Sequence, residues 1–171
     1  MKRGTPAGYG RPTPQPDQKQ GAKVHSHANS TTLRSDTQAV SIDGPVEQVF
    51  DFLADPANLP KWAVGFCHSI RRDGDHWMVT TAGGEVSIRY VTDRELGVVD
   101  FYISPAPGIE AAAFSRVLPR GGGAEYVFTQ FQAPGMPDEV FTGQVHALLE
   151  ELRILQSLIR ARAACSASAA N

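Results

Sequence analysis

The strongest constraint on the fold is a stripe of apolar residues near the C-terminal end. Between Asp138 and Arg162, Phe141, Val145, Leu148, Leu152, Leu155 and Ile159 recur at alternating steps of four and three. That period belongs to an α-helix with one continuous apolar face. At 1.5 Å per residue the helix would be about 37 Å long, enough to lie across a whole small sheet. Such a stripe must be buried against another layer. Asp138 and Glu139 stand at the end where the helix dipole favours negative charge, and Arg160 and Arg162 where it favours positive charge. Residues 163–171 read as a frayed end.

What precedes this helix is mostly strand. TQAVSI (37–42) is a first strand, and Gly44-Pro45 then opens a helix where the missing proline N–H costs nothing. Val46, Val49, Phe50 and Leu53 form its apolar stripe. Asp55-Pro56 ends it, and Pro56 to Leu59 makes a second short helix limited by Pro60. Six strands follow: Phe66–Arg71, His76–Thr81, Glu85–Thr92, VVDFYI (98–103), AAFSRVL (112–118) and AEYVFTQF (124–131). Asp73-Gly74, Gly83-Gly84 and Gly121 to Gly123 supply turns between them. The expected fold is α+β: a curved antiparallel sheet of about seven strands wrapped around the long C-terminal helix, with two short helices after strand 1. A bent sheet leaves room for a ligand cavity beneath that helix.

Composition narrows the function classes. Of 171 residues, 42% are hydrophobic, enough for one core. Residues 1–36 are rich in Pro and Gly, carry six Lys/Arg against two Asp, and read as a disordered basic tail before a domain at 37–162. The remainder holds ten basic and sixteen acidic residues, which argues against a nucleic-acid face. No apolar run follows Lys2 and Arg3, and no 18-residue apolar stretch occurs, so neither a secretory signal nor an integral membrane segment is expected. Cys67 and Cys165 lie far apart, as reduced thiols of a cytoplasmic protein would. Gly121-Gly122-Gly123 lacks a following Lys-Ser/Thr and is a hairpin, not a phosphate loop.

VSIDGPVEQVFDFLADPANLPKW, the strand ladder, GVVDFYI and FTGQVHALLEELRILQSLI together resemble the START-like, or SRPBCC, superfamily over residues 37–160. The resemblance implies a helix-grip fold and a small-molecule cavity. Members carry lipids and sterols, bind plant hormones or coenzyme Q, or cyclise polyketides. The Rieske oxygenase branch would need two His and a carboxylate around iron. Only His68, His76 and His146 lie in this body, so no metal and no cofactor is expected.

The candidate site residues follow from strand faces and from the helix stripe. Trp62, bracketed by Pro60 and Gly65, closes the core or walls a pocket. His68 alternates with Phe66 and Ile70, so an inward face would carry a titratable group; Cys67 would then point away. Asp100, inside VVDFYI, needs a partner, either Arg89 or Arg116. His68 and Asp100 are the candidate acid–base pair. Tyr90, Arg116 and Gln130 are candidates to orient a ligand or steady an enolate. Phe66, Phe128, Met136, Phe141, Val145, Leu148 and Leu152 are the candidate apolar contacts, with the loop at 132–139 as a gate. Three functions compete: binding of a small hydrophobic or aromatic molecule, a polyketide cyclase/dehydratase-like reaction, and a non-catalytic interaction module. Free sheet edges leave a homodimer open.

Overall fold

The computed structural model describes residues 33–169, with side chains described through residue 165. The tail expected at 1–36 lies outside the described residues except at its end, where Ser35 and Asp36 already belong to a strand.

The chain order is strand β1 (Ser35–Ile42), helix α1 (Val46–Ala54), a 3₁₀ turn (Pro56–Asn58), helix α2 (Leu59–Trp62), strands β2 (Ser69–Asp73), β3 (His76–Thr81), β4 (Gly84–Asp93), β5 (Val98–Ala106), β6 (Ile109–Arg120) and β7 (Gly123–Phe131), and helix α3 (Asp138–Ala169). The seven strands form one sheet in the order β1-β7-β6-β5-β4-β3-β2, and every neighbouring pair is antiparallel. The curved sheet wraps around α3. This is the α+β arrangement that the sequence pattern predicts.

Each element has a local cause. Pro45 caps α1 from outside, its carbonyl accepting from the N–H of Gln48 and Val49. Val49, Phe50, Phe52 and Leu53 bury the inner side of α1. The Asp55 carboxylate accepts from the Ala57 N–H and starts the 3₁₀ turn. Gly97 stands at φ +63°, where a Cβ would lie 2.1 Å from the Val117 carbonyl oxygen. The close contact of the β4–β5 turn with β6 therefore requires glycine. Gly123 is similarly tight: its Cβ would sit 2.6 Å from the Ile42 carbonyl oxygen.

Two boundaries differ from expectation. α3 continues past Arg162 to Ala169, where a frayed end was expected. The extension is rich in alanine, the strongest helix former, so propensity carries the helix beyond its packed stripe. Second, β2 begins at Ser69, not Phe66. Phe66 and Cys67 instead donate their N–H groups back to the Ala63 carbonyl, closing a turn after α2.

The core joins α1, α2, the concave sheet face and α3. Val49, Val79, Val99, Tyr126, Phe141 and Leu155 have no measurable exposure. No helix among the described residues is long and apolar enough to cross a membrane.

Candidate functional site

The concave face is set by strand alternation. Val86, Ile88 and Tyr90 on β4, Val99 and Phe101 on β5, and Tyr126 and Phe128 on β7 all belong to the core or pack against it. Their rings interlock. Tyr90 meets Phe101 edge-on at 4.8 Å, Phe101 lies 5.7 Å from Phe128, and Phe128 lies 6.2 Å from Tyr126. Trp62 reaches this row from α2, its ring 6.4 Å from Tyr126 and perpendicular to it. Trp62 is only 3% exposed, so it closes the core at the α2 end.

Not all of this surface is covered. Phe66, Ile70, Trp77, Val86, Tyr90, Ile103 and Phe128 are only half-buried. The strand members, Ile70, Trp77, Val86, Tyr90, Ile103 and Phe128, share the concave side as an apolar strip, and Phe66 joins the core from the turn after α2. Two surface grooves among the described residues lie elsewhere. One of about 670 Å³ is lined by Met78, Ser87, Ser104 and the Pro105 to Glu110 hairpin. The other, about 350 Å³, runs along α3 past Glu150, Arg153 and Ile154.

The expected acid–base pair does not form. His68 is exposed and Cys67 is buried, the reverse of the expected facing. The cause is the late start of β2: Phe66, Cys67 and His68 follow turn geometry, so period-two alternation does not apply to them. Asp100 alternates with the core residues Val99 and Phe101, which places it on the other face of β5. There it accepts from the Ser115 N–H at 2.9 Å and pairs with Arg116 at 2.7 Å. Of the two readings of Asp100, this is the structural bridge. It also commits Arg116, which was expected as a ligand-orienting residue, to the face away from Ser115 and Val117 in the core.

The remaining candidates divide. Phe141, Leu148 and Leu152 are fully spent in the core, whereas Val145 is half-buried. Arg34 lies over the Phe141 ring at 5.1 Å. Met136 is half-buried in a tied loop: its carbonyl accepts from Gln132 Nε2, which also reaches Asp138. Gln130 stands on the same face of β7 as Tyr126 and Phe128, next to Asp36 of β1.

Two polar atoms on this face are buried without a hydrogen-bond partner: Tyr126 Oη and Gln130 Nε2. Burial pushes the Tyr126 hydroxyl well above the ordinary phenol range, and the Asp100 charge adds to this; the nearby Ser115 hydroxyl opposes it. Ser115 gives its proton to the Val99 carbonyl, and its oxygen stays within reach of the Tyr126 hydroxyl without a well-formed bond. Tyr90 is also pushed up, chiefly by burial, then by Tyr126, Cys67 and Asp55. An unpartnered buried hydroxyl costs about 1–3 kcal/mol.

Sequence reasoning missed one residue. Glu151 is only 7% exposed, on the inner side of α3. Its Oε1 accepts from the Gly65 N–H at 2.8 Å and the Phe66 N–H at 2.9 Å, tying α3 to the turn after α2. Burial raises its pKa, and the two N–H groups partly offset the rise. Burial, with the Glu151 charge adding to it, pushes the Cys67 thiol up to about 11. The signal was available: Glu151 is three residues after Leu148 and four before Leu155, so it lies on the apolar stripe. Among the described residues, no three His, Cys, Asp or Glu side chains come together as a metal would need.

No family model matches the chain, and no curated protein matches its sequence. Solved structures do match. XoxI from Bacillus cereus superposes with a TM-score of 0.60 at 18% identity, over 73% of this chain and 94% of its own. Ara h 8.0201 gives 0.58 at 16%, over 76% and 99%. The di-domain ARO/CYC BexL of the BE-7585A biosynthetic pathway gives 0.58 at 16%, over 72% of this chain and 45% of its own. The chain has the helix-grip fold. The START-like resemblance read from the sequence is borne out at the level of that fold, and identities this low carry no function across.

Proposed function

We propose that the chain binds a small hydrophobic or aromatic molecule on the concave side of the sheet, beside α3. The observation that supports this is the half-buried strip of Ile70, Trp77, Val86, Tyr90, Ile103 and Phe128. A ligand that removes a further 200 Å² or so of apolar surface there would gain about 5 kcal/mol before the cost of association. The flat rings of Tyr90 and Phe128 favour an aromatic body.

A cyclase-like reaction through His68 and Asp100 has no support in this geometry, since the two side chains do not converge. An interaction module is the second reading. What favours it is the open groove of about 670 Å³ on the far face, walled by the Pro105 to Glu110 hairpin.

Trp77 lies in the strip and serves as the reporter. Protein purified without denaturation is titrated with the neutral apolar dye N-phenyl-1-naphthylamine, following energy transfer from tryptophan, and its native mass spectrum is recorded. Saturable one-to-one binding that Phe128→Ala weakens about tenfold supports the proposal. No adduct and no saturable dye binding would sink it and move the interaction module first.

A further inference from the structure

We propose that Gln130 is the polar end of the concave seat: its side-chain amide donates to an uncharged carbonyl oxygen on an aromatic ligand, and Asp36 beside it turns carboxylates away. This rests on the proposed ligand seat and narrows what occupies it.

Strand register puts the parts in one line. Tyr90 of β4 pairs with Phe101 of β5, Phe101 with Ala113 of β6, Ala113 with Gln130 of β7, and Gln130 with Asp36 of β1. The five positions form a single row across the sheet, at about 4.8 Å per strand. Tyr90, Phe101 and Ala113 belong to the core or pack against it, so the row faces the concave side. The row is aromatic at one end and polar at the other. The Tyr90 and Phe101 rings lie 4.8 Å apart. Phe128, two residues from Gln130 on the same face of β7, has its ring 5.7 Å from Phe101. Between Phe101 and Gln130 the row holds only the methyl group of Ala113.

The amide is unspent. Gln130 is half-buried, and its Nε2 is shut off from solvent with no hydrogen-bond partner. Asp36 stands directly opposite but accepts from Gln38 Nε2 instead, at 2.5 Å. A buried N–H without an acceptor is costly, so a ligand oxygen that reaches it removes that cost on binding. An ammonium group has no lone pair to offer it. A carboxylate has, but Asp36 is a half-buried acid with no cationic partner among the described residues. Like charges directly opposite across a strand pair repel, and a carboxylate held by Gln130 would meet that repulsion. An aromatic body with a neutral carbonyl matches both ends of the row.

The test uses the intact protein and three probes of one shape: 2-acetylnaphthalene, its alkene isostere 2-isopropenylnaphthalene, and 2-naphthoate. Each displaces N-phenyl-1-naphthylamine at pH 7.5. The ketone should bind about tenfold tighter than the alkene, and the naphthoate weakest. Gln130→Met keeps the length of the side chain and removes the donor; it should bring the ketone within about twofold of the alkene while leaving the alkene unchanged. Asp36→Asn should strengthen the naphthoate about fivefold and leave the ketone as it was; an unchanged naphthoate refutes the role of Asp36. Equal binding of ketone and alkene to the wild-type protein overturns the carbonyl site and leaves the ligand seat standing, as does a dye that binds but that no probe displaces. An equal loss of both neutral probes in Gln130→Met assigns Gln130 to packing alone and overturns it too. Failure of the dye itself to bind removes the seat and the inference together. If Gln130→Met does not fold, the infrared spectrum of the ketone on the wild-type protein decides: a C=O stretch below its position in hexane supports the bond, and one at that position refutes it.

Discussion

Replacing Tyr126 by phenylalanine should stabilise the protein. The ring is fully buried and packs edge-on against Trp62 at 6.4 Å and Phe128 at 6.2 Å. Phenylalanine keeps both contacts. What is lost is a hydroxyl that makes no well-formed hydrogen bond. A dry unpartnered polar group costs about 1–3 kcal/mol, while a trapped water would recover part of it. The expected gain is therefore about 1 kcal/mol, which for a domain of this size raises Tm by about 3–5 °C. Urea unfolding of the ligand-free protein, followed by tryptophan fluorescence, measures it directly. The midpoint should rise with the slope unchanged, which marks a change in stability alone. A loss of about 1 kcal/mol or more would refute the reasoning: the hydroxyl would then hold a bond in the native state, and it would not be free for a ligand.

Three further outcomes are expected. Asp100→Ala should cost about 2 kcal/mol in urea unfolding, because it leaves the Ser115 N–H buried without an acceptor; Arg116→Ala should cost less, since that side chain is half-exposed and solvent screens its charge. His68→Ala should change stability by no more than about 0.5 kcal/mol and leave ligand affinity unchanged, because the side chain is at the surface. The pH dependence of Glu151 has a defined sign. Its pKa is raised in the folded state, so its contribution to stability is fully present below the ordinary value of 4.5 and is lost as pH rises through the higher folded value. Relative to Glu151→Gln, wild-type stability should therefore fall as pH rises above 4.5; a rise instead would reverse the assignment.

The fold was largely legible, and the candidate site only in part. Periodicity placed α3, because a buried helix stripe leaves a four-three spacing whatever it packs against. Alternation placed Tyr90 and Phe128 on the concave face for the same reason. The same rule failed at His68. It was applied three residues too early, across a turn whose end depends on Glu151, 86 residues away from Gly65 in sequence. Glu151 itself was not singled out, although its position on the stripe marked it.

The sequence by itself determined the elements, their order and which face of each is apolar, because these are local consequences of side-chain period and of proline and glycine positions. Only the tertiary structure decided which polar groups meet. Asp100 found Arg116 on the outer face, Glu151 was drawn beneath the turn after α2, and Tyr126 and Gln130 were each left with an unpartnered polar atom. Such pairings depend on sheet register and on the approach of α3 to within hydrogen-bond distance, and no local pattern encodes either.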